Sequence, residues 1–159
     1  MLIGLLADTH DRLPAIRAVL DRFVAAGIDT VIHPGDVVAP FAAKLLADFP
    51  GTVHVTYGNN DGERHGLKKI LPQIQDAPLF VRLGTRHILV HHYLAWAEAA
   101  DIGHADVIVT GHTHEPRIED RDGKLFVNPG ECCGWVTGHC TAAVLDLETN
   151  NVELLEVSP

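Results

Sequence analysis

The sequence has no long hydrophobic run and comparatively few positive charges. No apolar stretch approaches the roughly 18 residues that a membrane span requires. The N-terminal segment has no basic region and its apolar stretch ends at Asp8, so we expect neither a membrane anchor nor a signal peptide. Lysine and arginine number 12 against 21 aspartates and glutamates, a formal net charge of −9 with neutral histidine. Because a sequence-independent hold on nucleic acid needs surplus lysine and arginine, we expect no stable nucleic-acid binding.

Cysteine is scarce, with three residues close together at Cys132, Cys133 and Cys140. An odd number argues against a disulfide framework, and a chain of 159 residues buries enough surface to fold without one. The spacing also matches no zinc-binding pattern. We therefore expect reduced thiols and a cytoplasmic protein.

Histidine, by contrast, is abundant: the chain has 11, nearly as many as lysine and arginine together. The hydrophobic fraction of 47% and the charged fraction of 21% are typical of a globular chain, which excludes disordered and fibrous classes. The length suits one domain, which we place over residues 1–159.

The first half of the chain alternates between short apolar runs and helical patterns. We predict strands over residues 2–7, 30–33 and 53–57. The first helix has Asp11 placed to cap its start, Pro14 in its first turn and Gly27 at its end, and a second helix covers residues 39–49. This alternation predicts parallel strands with right-handed helical crossovers.

The second half changes to strands joined by short turns. We predict strands over residues 79–83, 87–92, 106–110, 117–120, 124–127, 141–147 and 152–157. A short helix is expected over residues 96–101. The patterns together predict an α/β fold with parallel strands early and hairpins late.

Seven polar residues stand at or just beyond the ends of predicted strands. They are Asp8, His10, Asp36, Asn59, His91, His112 and His114. Ligands bind at this edge of an α/β sheet, and mixed imidazole, carboxylate and amide ligands suit Mn, Fe, Zn, Co or Ni. Seven ligands are too many for one ion, so we predict two ions that share a carboxylate. Their four positive charges, offset by two aspartates, leave a local surplus of about two charges to bind a phosphate.

The residues fall into five short motifs. They are D-x-H (Asp8, His10), G-D (Gly35, Asp36), G-N-x-D (Gly58, Asn59, Asp61), a histidine at a strand end, and G-H-x-H (Gly111, His112, His114). In this order, over residues 1 to about 130, they resemble those of the calcineurin-like metallophosphoesterase superfamily and its small bacterial and archaeal phosphodiesterase branch.

The resemblance implies a fold of two packed mixed β-sheets flanked by helices on both outer faces, an αββα sandwich. It also implies two divalent transition-metal ions, manganese first, with nickel, cobalt, iron or zinc as alternatives. One ion would be held by Asp8, His10, Asp36 and His114. Asp36 would bridge to a second ion held by Asn59, His91 and His112.

The choice between His91 and His92 stays open, because either imidazole could be the ligand and register read from a turn is uncertain by a residue. Counting from the predicted turn at Gly84 favours His91. His92 would then line the pocket or orient a ligand.

The sequence departs from the family pattern at two places. Many members have a histidine after the G-N pair as general acid, whereas this chain has Asn60, which has no titratable proton. The branch usually continues N-P-G-S after the last motif, but here Glu131, Cys132 and Cys133 follow Gly130, and their role stays open. The pattern also does not assign Trp96, Trp135 and Phe80 to a core or an interface.

The resemblance implies a phosphodiesterase in which a metal-bridging hydroxide attacks phosphorus, with Asn59 and His91 at the catalytic centre and no protein general acid assigned. One alternative is a non-catalytic scaffold for protein partners, the role of a retromer subunit that shares this fold. Another is a nucleotide or dinucleotide phosphatase. We expect a small phosphate ester as substrate and no membrane partner, and the resemblance allows a homo-oligomer.

Overall fold

In the computed structural model, which describes residues 1–158, the strands form two five-stranded sheets that pack face to face. The first sheet contains β1 (Leu2–Leu5), β2 (Thr30–His33), β3 (Thr52–Val55), β9 (Cys140–Asp146) and β10 (Val152–Val157). The second contains β4 (Leu79–Leu83), β5 (Arg86–Val90), β6 (Val107–Val109), β7 (Pro116–Arg121) and β8 (Lys124–Pro129). The helices are α1 (Leu13–Ala25), α2 (Pro40–Ala47), α3 (Arg64–Ile70), a 3-10 turn (Leu94–Trp96) and α4 (Ala99–Gly103).

Both sheets are mixed. In the first, ordered β10-β9-β1-β2-β3, the last three strands are parallel and β9 and β10 run antiparallel to their neighbours. In the second, ordered β4-β5-β6-β8-β7, the three central strands are parallel and the two edge strands antiparallel. The prediction of parallel strands early and hairpins late is therefore confirmed.

One core lies between the two sheets, where Ile3, Leu5 and Ile32 of β1 and β2 pack with Val90 and Val127 of the second sheet. The outer face of the first sheet is covered by α1, α2 and α3. A second core lies between this face and the helices. The apolar stripe of α1 packs into it through Ile16, Val19, Leu20 and Phe23. A smaller core around Leu89, Ile108 and Phe126 lies under the 3-10 turn and α4. The predicted αββα arrangement is confirmed.

One local expectation was wrong, and one helix was not predicted. Asp11 does not cap α1, whose N-cap residue is Arg12. The carboxylate of Asp11 instead accepts a hydrogen bond from the backbone N–H of Ala39, 2.9 Å away, and so connects the loop after β1 to the start of α2. Helix α3 was not predicted, because Leu67 is its one buried residue and a charged sequence hides its period. None of the helices in residues 1–158 is long and apolar enough to cross a membrane.

His33, the last residue of β2, is completely buried and connects the loops that follow β1 and β2. Its Nδ1 accepts a hydrogen bond from the N–H of Gly35 at 3.1 Å, so the proton of the neutral ring is on Nε2, which donates to Thr9 Oγ1 at 3.1 Å. The Thr9 hydroxyl donates in turn to the backbone carbonyl of Asp36 at 3.3 Å. Burial lowers the pKa of His33 from 6.5 to about 3, so the ring stays neutral at pH 7.

We expect His33→Gln to make the unfolding free energy of the metal-free protein less dependent on pH between about 3 and 6.5. The pKa of His33 is lower in the folded chain, so in this window the unfolded chain binds a proton that the folded chain does not. The contribution of the neutral ring to stability is complete above pH 6.5 and is lost as the pH falls toward 3. Urea unfolding at a series of pH values measures the slope. His65→Gln, at an exposed position, is the control; equal slopes for wild type and His33→Gln would contradict the prediction.

Candidate functional site

The predicted ligands lie on loops that leave the carboxyl ends of five strands: β1, β2, β3, β5 and β6. Parallel strands in each sheet bring these ends to one edge. Five of the seven predicted residues have a positive φ, which non-glycine residues rarely adopt: Asp8 (50°), His10 (35°), Asp36 (62°), His112 (70°) and His114 (64°). Such backbone strain persists only where surrounding contacts hold it, and it is concentrated at functional sites.

A first group consists of Asp8, His10, Asp36 and His114. The Nε2 atom of His10 lies 4.0 Å from Asp8 Oδ1 and 3.5 Å from Asp36 Oδ2. The Nε2 atom of His114 lies 3.8 Å from the same Asp8 oxygen. These side chains belong to three separate loops and direct their ligand atoms toward one point.

A second group consists of Asn59, His92 and His112, with Asp36 between the two groups. The Oδ1 atom of Asn59 lies 2.8 Å from His92 Nε2 and 2.8 Å from His112 Nδ1. The Nε2 atom of His92 is also 3.4 Å from Asp36 Oδ2, the oxygen that faces His10 in the first group. Asp36 is therefore the residue that joins the two groups.

The structure corrects the expectation for His91, because His92 and not His91 joins the second group. Strand β5 ends at Val90, and neighbouring side chains on extended backbone point in opposite directions, so a register error of one residue exchanges the two rings. The Nδ1 atom of His92 donates to the carbonyl of Pro34, 3.0 Å away, and the Nε2 atom of the ring faces Asn59 and Asp36. His91 is buried nearby, and its Nδ1 has no hydrogen-bond partner within residues 1–158.

Two ligand atoms of the first group are buried without a hydrogen-bond partner in the described part of the chain: Asp8 Oδ1 and His10 Nε2. A buried polar atom without a partner costs free energy, and a buried carboxylate costs more. Imidazole nitrogens and carboxylate oxygens are both ligands of divalent transition metals. The orphaned atoms and this donor set fit a cation between Asp8 and His10.

The protonation equilibria of the two aspartates differ. Burial raises the pKa of Asp8 to about 6, against the opposing effect of the nearby histidines His92 and His114. Burial acts in the same direction on Asp36, but a hydrogen bond and the charge of His92, together with two hydrogen bonds from Asn60, hold the pKa of that carboxyl well below its usual range. Burial also lowers the pKa of His10 and His112, which favours neutral rings with a free lone pair.

Asp61 holds the loops that carry Asp36 and Asn59. Its carboxylate accepts hydrogen bonds from the backbone N–H groups of Asp36 (2.9 Å), Val38 (2.7 Å) and Gly58 (2.7 Å). Asp61 therefore supports the site through the backbone.

Glycine is required at two motif positions because a ligand carboxylate lies directly against the backbone there. A Cβ at Gly58 would overlap the carboxylate of Asp36, and a Cβ at Gly111 would lie 2.7 Å from Asp8 Oδ2. That oxygen of Asp8 accepts a hydrogen bond from the backbone N–H of His112 at 2.9 Å, which fixes the direction of the carboxylate.

Glu131, whose role the sequence left open, is completely buried and lies behind His114. Its Oε2 is 2.8 Å from His114 Nδ1, so the Glu131 carboxylate accepts that proton and leaves Nε2 to face Asp8. Its two oxygens also accept hydrogen bonds from the loop that follows: the thiol of Cys133, the N–H groups of Trp135, Val136 and Thr137, and the Thr137 hydroxyl.

Burial alone would raise the pKa of Glu131, but these hydrogen bonds, first that of Cys133, lower it to about 2. Glu131 is thus an ionised buried group that orients His114 and anchors residues 133–137. The sequence signal that could have identified Glu131 is its place directly after Gly130 and three residues beyond Asn128, whose side-chain amide donates to the backbone carbonyl of Gly111 in the last motif.

The three cysteines are buried and free. Burial raises the pKa of both Cys132 and Cys133. The Cys133 sulfur lies in one cluster with the ligand nitrogens of His10 and His114, all within 4.8 Å of one another.

Comparison with known proteins gives a consistent result. The calcineurin-like phosphoesterase superfamily domain matches residues 1–150. The chain is 40% identical over 162 aligned positions to the phosphodiesterase MJ0936 of Methanocaldococcus jannaschii, with 93% of this chain and 94% of that protein covered. A solved archaeal phosphodiesterase is 38% identical, with a TM-score of 0.88 over 99% of this chain and 100% of its own. Vps29 of Entamoeba histolytica, 19% identical, shares the fold with a TM-score of 0.71, over 99% of this chain and 100% of its own.

The family match spans most of the chain, and the identity to the archaeal phosphodiesterase extends over nearly all of both proteins. This agrees with the motif order that suggested the resemblance. The chain belongs to the calcineurin-like phosphoesterase superfamily.

Proposed function

We propose that the protein is a metal-dependent phosphodiesterase that hydrolyses a small phosphate ester at the edge where the two ligand groups meet. The observation that carries the proposal is the pair of buried ligand atoms without partners, Asp8 Oδ1 and His10 Nε2, beside Asp36. The name of the archaeal relative, phosphodiesterase, supports the reaction class.

The two groups would hold two divalent ions. Asp8, His10, Asp36 and His114 would hold one ion, and Asn59, His92 and His112 would hold the other, with Asp36 shared. Divalent ions in these positions supply Lewis acidity and positive charge for a phosphate ester. Manganese is our first choice, with nickel, cobalt, iron or zinc as alternatives, because imidazole and carboxylate ligands suit all of them.

The protein's own side chains orient the ligands and limit proton transfer. Glu131 and the carbonyl of Pro34 accept the Nδ1 protons of His114 and His92, so both rings present Nε2 to the site. Asn60 donates to both carboxylate oxygens of Asp36 and has no titratable proton to give a leaving group. We therefore propose that the enzyme prefers leaving groups that depart without protonation.

A non-catalytic scaffold is the second candidate, because Vps29 has the same fold. A scaffold can lose ligand residues without losing its surface, whereas this chain has a donor at all seven positions once His92 takes the place of His91. A nucleotide or dinucleotide phosphatase remains a further alternative within the hydrolases. We also propose a cytoplasmic location, which the free cysteines support, and an assembly of identical chains as one form of the protein.

We expect metal-stripped protein to gain activity toward bis(p-nitrophenyl) phosphate during titration with Mn²⁺ and to saturate near two equivalents, because the two ligand groups share Asp36. His114→Ala should reduce the bound metal to about one equivalent, while His65→Ala, at an exposed position, should bind as the wild type does. Bound manganese is measured by equilibrium dialysis alongside the rate. A folded protein without activity in Mn²⁺, Ni²⁺ or Co²⁺ would instead favour the scaffold.

We expect kcat/KM for p-nitrophenyl ethyl phosphate, a diester, to exceed that for p-nitrophenyl phosphate, its matched monoester. The two share a leaving group that needs no proton, so the comparison reports how the site accepts the second ester group. Steady-state rates with the manganese-loaded protein measure it. A clear preference for the monoester would reject the diesterase assignment and favour the phosphatase alternative.

We expect Glu131→Gln to weaken one of two manganese-binding steps by about 10- to 100-fold, the usual effect of removing a carboxylate that orients a ligating histidine. The step should be the one lost in His114→Ala, because Glu131 contacts His114 and not the second group. Isothermal titration calorimetry resolves the steps, and the exposed Glu153→Gln is the control. Equal weakening of both steps would indicate a general loss of structure instead.

A further inference from the structure

Both tryptophans of the chain lie beside the ligand groups, and both are largely exposed. Trp96 is 54% exposed and Trp135 is 62% exposed. Tryptophan is the largest apolar side chain and is usually well buried, so two exposed rings at one site point to a surface that a ligand covers.

Trp96 is held next to the second ligand group. Its ring lies 5.4 Å from the ring of His112 and 5.3 Å from that of Tyr93, which it meets edge to face. Tyr93 in turn lies 4.3 Å from His112, so the three rings form one aromatic cluster. These contacts fix the position of the Trp96 ring while more than half of its surface stays open to solvent.

Trp135 is held next to the first ligand group by different contacts. Its indole Nε1 donates to the backbone carbonyl of His10 at 3.2 Å, and its backbone N–H donates to Glu131 Oε2 at 3.0 Å. The guanidinium carbon of Arg12 lies 4.7 Å from the centre of its ring, and Arg12 itself donates to the carbonyl of Cys133 at 2.5 Å. The ring is therefore ordered by polar contacts and not by burial.

A phosphodiester has two organic groups on one phosphorus atom, and the site has one exposed ring beside each ligand group. A phosphate held between the ligand groups would extend its two ester groups toward the two tryptophans. Flat aromatic groups stack on indole rings with little entropy loss when the rings are already fixed, whereas alkyl groups gain less.

We propose that Trp96 and Trp135 are stacking surfaces that select phosphodiesters with a planar aromatic group, as in a nucleobase or an aryl ester. The proposal rests on the phosphodiesterase function proposed above. Nucleobases and aryl rings share the flat π surface that an indole recognises, and the substrates below separate the two sources.

The test compares three diesters with the same p-nitrophenolate leaving group: thymidine 5′-(p-nitrophenyl phosphate), phenyl p-nitrophenyl phosphate and ethyl p-nitrophenyl phosphate. We expect a higher kcat/KM for the two aromatic diesters than for the ethyl diester, with thymidine alone preferred if the site selects nucleobases. All three diesters share the p-nitrophenyl group, so the aromatic-to-ethyl ratio reports the ring that contacts the other ester group. In at least one of Trp96→Ala and Trp135→Ala this ratio should fall by about fivefold or more, the factor that corresponds to the lower range of base stacking. Trp96→Phe should retain most of the ratio.

Phe80→Ala is the matched control, because Phe80 is an aromatic residue 49% exposed on β4 and outside both ligand groups. It should leave the ratio unchanged. Equal kcat/KM for all three diesters in the wild type, or a ratio unaffected by both alanine variants, would overturn the proposal.

Fluorescence provides a readout that does not depend on hydrolysis. Trp135→Phe leaves Trp96 as the one tryptophan of the chain, and Trp96→Phe leaves Trp135. Thymidine 5′-monophosphate should quench at least one single-tryptophan variant in a saturable way, whereas inorganic phosphate should not. Quenching without hydrolysis would reject the proposed function and support the stacking surface. Hydrolysis without quenching or aromatic preference would reject the stacking surface alone.

Discussion

The burial of two carboxylates among histidines is the constraint on which the rest of the structure depends. Asp8 and Asp36 are almost inaccessible to solvent, and one oxygen of Asp8 has no partner among residues 1–158. A buried carboxylate is stabilised either by a proton or by a nearby cation. Burial raises the pKa of Asp8 to about 6, so this carboxyl holds its proton more readily than an exposed one does. A cation among these ligands would remove the proton and satisfy the oxygen together. The buried carboxylates at this edge of the fold are therefore more favourable with a bound cation than without one.

This constraint explains why so much of the surrounding backbone is strained and fixed by charged groups. Asp8 and Asp36 have a positive φ, and their loops are held by contacts that arrive from distant parts of the chain. Asp61 accepts three backbone hydrogen bonds near Asp36, and Glu131 accepts a proton from His114 while anchoring the loop that follows it. Asp61 acts on the predicted metal-binding residues through the backbone, and Glu131 acts through the orientation of the His114 ring. Neither carboxylate needs to touch a substrate.

The sequence predicted the strand-end positions because a buried strand followed by a polar residue is a local pattern. The structure brings six of the seven predicted positions together. At the seventh, His92 lies with the group instead of His91, because successive residues on a strand end alternate sides and no local signal fixes the register. The role of Glu131 could not be predicted, because its partner His114 is 17 residues away and belongs to another loop. Helix α3 was missed for a related reason: its contacts with α2, and not its own pattern, stabilise it.

The same energetic argument separates an enzyme from a scaffold of this fold. A surface that only binds partners gains nothing from burying Asp8 without a hydrogen bond at Oδ1 or from holding His10 and His114 in left-handed backbone. Replacing Asp8 with a neutral residue of similar size would relieve the cost of a buried charge, so the stability of the fold alone gives no reason for a carboxylate at this position. That the chain keeps the buried carboxylates and also keeps Asp61 and Glu131 to support them is best explained by chemistry at the site.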